Sequence, residues 1–202
     1  MIDNTQVALA ITGASGAPYA KRLLEVLLRQ GMTVHLMIST AGRIVLADEL
    51  DWKLPSRAID AQSTLAKQFD CSVDQLHVYG EQQWSSPLAS GSHRVPTMIV
   101  CPCTMGTLAA IASGHSDNLI NRAADVMIKE DRKLIMVPRE APFSVIHLEN
   151  MLRLAKLGVC ILPPNPGFYF KPKALEQIVD FVVARILDQA KIEHDLMPRW
   201  GD

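Results

Sequence analysis

The sequence predicts an α/β domain: a doubly wound parallel sheet with helices on both faces. Two observations carry that expectation. Six short apolar runs alternate with helical patterns, and the runs are continuous rather than alternating in polarity, as strands covered on both faces require. The strand–helix–strand rhythm is the one that builds such a sheet. The chain has 202 residues, 49% hydrophobic and 20% charged, enough to bury the core of one domain spanning residues 1–202.

In chain order, the expected strands are residues 6–12, 33–39, 76–79, 97–103, 133–138 and 159–162. The expected helices are 18–30, 41–50, 56–69, 105–112, 121–130 and 143–157, with a last one near 172–192. Pro18 suits a first helical turn, where its missing N–H costs nothing. Gly31 and Gly158 suit the position just past a helix end. Residues 80–95 are rich in Ser, Gly and Pro and read as a surface loop. There is no internal repeat and no long linker.

The net charge is −1, so no basic field invites nucleic acid. No apolar run reaches the roughly 18 residues needed to span a bilayer, and MIDNTQVALAITG lacks the basic start of a signal peptide. These features lead to the expectation of a cytoplasmic protein with no membrane partner. The four cysteines, Cys71, Cys101, Cys103 and Cys160, include C-P-C rather than C-x-x-C, with no histidines at zinc spacing; buried free thiols are the expectation. The six histidines, His35, His77, His93, His115, His147 and His194, form no metal pattern.

Ligands of doubly wound sheets bind beyond the carboxyl ends of the strands. Five segments are expected there: GASG (13–16), ST (39–40), PCTMGT (102–107), PRE (138–140) and PPNPGFY (163–169). Nearly all carry hydroxyls, glycine or charge. GASG is not a P-loop, because Ala17 and Pro18 stand where Lys and Ser/Thr are needed. Nor is it a dinucleotide fingerprint: its glycines are spaced G-x-x-G, and the second strand ends in Ser39-Thr40 rather than an acid. The remaining reading is a single phosphate held by Ser15, backbone N–H groups and a helix N-terminus. That suits a mononucleotide such as FMN. Thr104 is an expected N-cap, but Gly106 and Thr107 in the same turn go beyond capping. Arg139 and Glu140 sit just past an apolar strand, and Arg122 and Lys129 share one helix face.

Taken together, GASGA, CPCTMGTL, NLINRAADVMIKE, VPREAPF, HLENMLRLAKLG and PPNPGFY, in this order and spacing, resemble the flavin prenyltransferases of the UbiX type. The resemblance runs over essentially the whole chain, out to MPRWG. It implies a Rossmann-like flavoprotein fold. It also implies an enzyme that joins a dimethylallyl group, from dimethylallyl monophosphate, to N5 and C6 of reduced FMN. The product serves UbiD-type decarboxylases, one of them in ubiquinone synthesis. Members are homododecamers built from trimers, with sites at subunit interfaces.

Carried over by motif, the resemblance implies that FMN is held by Gly13, Ala14 and Ser15, by Ser39, by Thr104, Met105, Gly106 and Thr107, and by Arg139. It implies that the allyl phosphate is held by Tyr169, Arg185 and Lys129, with Arg122 on the same helix face as Lys129. Trp84 matches an aromatic facing the allyl group, and Trp200 a position near the site. Glu140 is implied as the active-site carboxylate, with Ser15, Glu49 and Lys129 beside it in catalysis. The helix and tail from about 172 to 202 are implied to complete the site or the subunit contacts.

The implied chemistry suits these residues. Ionising an allylic phosphate needs positive charge and donors around the leaving group, which Lys129, Arg185 and Tyr169 supply. No D-D-x-x-D stretch occurs, so a metal-free site is expected. Ring closure releases a proton, for which Glu140 and the departing phosphate stand as alternative acceptors. The rival reading is an FMN-dependent cysteine decarboxylase of the same superfamily, but the P-x-M-N-x-x-M-W segment of those enzymes is missing from this sequence. A flavin carrier without chemistry is the other rival; it leaves the Lys129, Tyr169 and Arg185 set without a purpose.

Overall fold

The computed structural model describes residues 5–197. Six parallel strands form one sheet in the order β3-β2-β1-β4-β5-β6: β1 Gln6–Ile11, β2 Thr33–Ile38, β3 Leu76–Tyr79, β4 Thr97–Cys103, β5 Lys133–Pro138 and β6 Cys160–Ile161. Seven helices connect and flank them: α1 Ala17–Arg29, α2 Thr40–Leu50, α3 Ala58–Gln68, α4 Met105–Ala112, α5 Leu119–Lys129, α6 Val145–Lys156 and α7 Leu175–Ala190. The Rossmann-like, doubly wound architecture expected from the sequence is the one observed. No helix among the described residues is long and apolar enough to cross a membrane.

Strand parity divides the core. Val7, Leu9 and Ile11 of β1 face a layer with α1, α3 and α7, whereas Ala8 and Ala10 face α4, α5 and α6. Cys101 and Cys103 lie two apart yet belong to opposite layers. The cause is a register shift between Val100 and Cys103 in the β4–β5 pairing, since an irregularity of one residue swaps every following side chain to the other face. All four cysteines are free. Burial pushes the Cys101 thiol up to about 12, so it behaves as a small core hydrophobe.

Most boundaries fall within two residues of expectation, and the differences are capping effects. Ser39 accepts from the Gly42 N–H, which draws α2 back to Thr40. Asn118 accepts from the Asn121 N–H, so α5 begins at Leu119, two residues before the expected start. Ser144 and His147 form a reciprocal capping box that delays α6 to Val145. The 80–95 loop contains a short 3₁₀ turn, Pro87–Ala89, that the sequence reading did not anticipate.

Candidate functional site

The strand order reverses between β1 and β4, the place where ligand crevices open in such sheets. The 13–16 turn leaves β1 toward α1, on one face; the loop after β4 leads to α4, on the other. Glycine is required at two points of the first turn. A Cβ on Gly13 would run into Ala41 at the start of α2, and Gly16 has φ +125°, a region closed to L side chains.

The turn meets Glu49, near the end of α2. Its carboxylate accepts from the Gly16 N–H at 3.0 Å and the Ala17 N–H at 2.8 Å. Burial would push this carboxyl up. The Ser15 hydroxyl, the two amides and the charge of Arg139 outweigh burial and hold it below its usual range. One expectation is corrected here. The N-terminus of α1 does not offer these amides to a phosphate; a carboxylate of the chain already neutralises that end of the helix dipole. The Ser15 hydroxyl bonds the same Glu49 carboxylate.

The other expected flavin residues come together around the same crevice. Arg139 follows β5, and its Nε donates to the Ser15 carbonyl at 3.1 Å. Thr104 caps α4: its Oγ1 accepts from the Thr107 N–H at 3.0 Å and donates to Thr107 Oγ1 at 2.9 Å. The N–H groups of Met105 and Gly106, in that first turn, make no hydrogen bond to a described residue. Ser39 caps α2, and next to it Thr40 gives both its N–H and its hydroxyl to Glu81, at 3.0 and 2.8 Å. Glu81 was not anticipated; an acid two residues past a strand carries no signal of its own. Glu140 is exposed beside Arg139 and accepts from the Ala141 N–H at 3.1 Å.

The expected allyl-phosphate residues divide into separate groups. Tyr169 packs edge-on to Phe181, with ring centroids 5.8 Å apart. Arg185, one turn beyond Phe181 on α7, lines with it a cleft of about 450 Å³ against β6. Its guanidinium bonds Asp188 at 2.6 Å. Lys129 ends α5, shortly before β5 begins, so it stands at the amino edge of the sheet, opposite the crevice; it pairs with Glu130 at 2.5 Å. Arg122 bonds the Ala89 carbonyl and Asp125. Trp84 is 46% exposed in the loop after β3. Trp200 lies outside the described residues. Within one chain, Lys129 and Arg139 therefore stand at opposite edges of the sheet.

Among the described residues no group of three or more His, Cys, Asp or Glu is arranged to hold a metal ion. The site is thus a crevice of hydroxyls, amides, the Arg139 guanidinium and the carboxylates of Glu49, Glu81 and Glu140 at the switch point of a doubly wound flavoprotein fold. The Flavoprotein family profile matches residues 1–187. The flavin prenyltransferase UbiX of Pseudomonas aeruginosa is 50% identical over 197 residues, covering 98% of this chain and 94% of that protein. The dodecameric FMN-dependent UbiX-like decarboxylase of Escherichia coli O157:H7 superposes with a TM-score of 0.84 at 41% identity, covering 98% and 100% of the two chains. AnUbiX (PadA1), solved with FMN and dimethylallyl pyrophosphate, gives 0.86 at 36% identity over 98% and 97%. The chain belongs to the flavoprotein family, among the UbiX-type flavin prenyltransferases.

Proposed function

We propose that this chain is a flavin prenyltransferase that joins the dimethylallyl group of dimethylallyl monophosphate to N5 and C6 of reduced FMN. The observation that carries the reading is the division of the site into two sets. One, around Ser15, Ser39, Thr104 and Arg139, suits a flavin mononucleotide. The other, Arg185 in the β6–α7 cleft and Tyr169 packed on Phe181 at its wall, has no task in holding it. The full-length similarity to flavin prenyltransferases, and to a structure holding FMN with an allyl diphosphate, supports the same reading.

The residues fit the cofactor. The open amides of Met105 and Gly106, with the Thr104 and Thr107 hydroxyls, form an anion-binding helix start. The α1 start, filled by Glu49, would repel a phosphate and is left to the ring end. When bound, reduced FMN supplies the nucleophilic nitrogen and carbon.

The chain does the rest. Arg185, Tyr169 and a neighbouring chain's Lys129 hold the allyl phosphate and stabilise charge as its C–O bond breaks. Arg122, on the same helix face as Lys129, is a further cation. Trp84 shields the allyl cation, which an aromatic face favours. Glu49 orients the Ser15 hydroxyl. Glu140 takes the proton released when the second bond forms, with the leaving phosphate as the competing acceptor. Assembly as a dodecamer with shared sites, work in the cytoplasm and delivery of the product to a UbiD-type decarboxylase belong to the same reading.

The test is anaerobic incubation of the protein with reduced FMN and dimethylallyl monophosphate in EDTA. Mass spectrometry should find the flavin carrying one added prenyl group. A protein that binds FMN yet yields no adduct, with or without Mg²⁺, would overturn the proposal.

A further inference from the structure

Thr12, the residue just before the 13–16 turn, is 1% exposed and belongs to none of the motifs above. Its hydroxyl donates to the Pro102 carbonyl at 2.9 Å and accepts from the Thr104 N–H at 2.8 Å. Its own N–H reaches the same carbonyl at 3.2 Å. The reason lies in β4. The β1–β4 ladder is regular from Val7↔Thr97 to Ala10↔Val100. Beyond it Pro102 has no N–H to give, and the register on the other side shifts. There the Thr12 hydroxyl supplements the backbone, sharing the Pro102 carbonyl with the Thr12 N–H and taking the Thr104 N–H.

The bonds close a circuit. Thr12 holds Pro102 and Thr104; the Cys103 carbonyl accepts from the Arg139 N–H at 3.2 Å; Arg139 Nε returns to the Ser15 carbonyl at 3.1 Å. Three loops, after β1, β4 and β5, are thereby locked around the switch point. Of the two side chains whose polar atoms close the ring, that of Thr12 is buried and that of Arg139 is exposed.

We infer that the Thr12 hydroxyl is a positioning residue for the flavin site. It acts through Thr104 and Arg139 and sets FMN affinity without touching the allyl phosphate. Removing it leaves the Thr104 N–H and part of the Pro102 carbonyl unmet in a dry place, and frees the α4 start to move against the 13–16 turn.

The test compares T12S with T12A, which both lose the methyl and differ only in the hydroxyl, and adds T12V to keep the volume. FMN is titrated alone by fluorescence quenching, and Thr104 amide exchange is followed in the same samples. T12S should stay within about 2-fold of the parent, while T12A and T12V bind FMN roughly 3–10-fold more weakly. The Thr104 amide should exchange faster in both. At saturating FMN the KM for the allyl phosphate should stay at the parent value. Equal FMN affinity in T12S and T12A overturns the inference. So does folding of T12S alone, which would make Thr12 a folding residue. The inference rests on FMN occupying this crevice. A protein that binds FMN but makes no adduct refutes the transferase reading and leaves this one standing; a protein that binds no FMN refutes both.

Discussion

The carboxylate of Glu49 lies 2.8 Å from the backbone nitrogen of Ala17. An acid at the end of one helix thus neutralises the start of another, and the Ser15 hydroxyl is drawn into the same contact. This relationship ties the 13–16 turn to the end of α2 and fills the α1 start with a carboxylate of the chain itself.

Glu49→Gln keeps the shape and removes the charge. Loss of the charge–dipole contact should lower stability by about 0.3–1 kcal/mol, read by thermal unfolding. Misplacing Ser15 should slow adduct formation by on the order of 10²-fold. The folded pKa of Glu49 lies below its ordinary 4.5, so its stabilising effect is complete above that value and is lost as pH falls through the lower, folded one. The stability gap between parent and variant should close in acid. A gap that stays constant down to full protonation would contradict the assignment.

His35 gives a second pH dependence. It is buried, bonded to Tyr79 at 2.9 Å and Gln6 at 3.1 Å, and stacked on His77. Burial, then the charges of His77 and His93, lower its pKa from 6.5 to about 4. The unfolded chain binds this proton first, so the protein should lose stability as pH falls from 6.5 toward 4, by no more than about 3 kcal/mol. Urea titrations across that range should show the loss, and His35→Gln, with no proton to gain there, should flatten it.

Arg185→Ala should leave FMN bound and cut single-turnover adduct formation by about 100-fold, the usual cost of removing one charge-stabilising donor. Occupancy, oligomer mass and turnover are to be read on one sample. Normal assembly with full turnover would remove Arg185 from the site.

The separation of Lys129 from Arg139 across the sheet gives the last prediction. Lys129→Ala and Glu140→Gln should each be nearly inactive alone. Unfolded together and refolded as a mixed assembly, they should regain activity at about one site in four, because one chain then supplies Lys129 and another Glu140. No recovery in verified mixed oligomers would place Lys129 elsewhere.

Much of the fold was legible. Continuous apolar runs such as those of β1 and β4 mark buried parallel strands, and Pro18, Gly31 and Gly158 punctuate the helices. Residues 105–112 matched α4 without adjustment because Thr104, a strong cap, fixes its start. Glu81 and Thr12 escaped notice because each acts through a contact with another strand end. The loops that hold the crevice were visible as hydroxyl- and glycine-bearing segments, but GASG alone did not say what its amides would bind.

The sequence by itself determined the strands, the helices, their parallel order of connection and the set of loops at the carboxyl edge. These follow from periodicity, propensity and caps, which are local. Only the tertiary structure decided that Glu49 takes the α1 amides, that the Thr12 hydroxyl bonds Pro102 and Thr104, and that Lys129 stands at the far edge from Arg139. Each depends on which strand ends lie side by side. The sheet order β3-β2-β1-β4-β5-β6 sets that adjacency through packing between residues distant in the chain, and no local pattern encodes it.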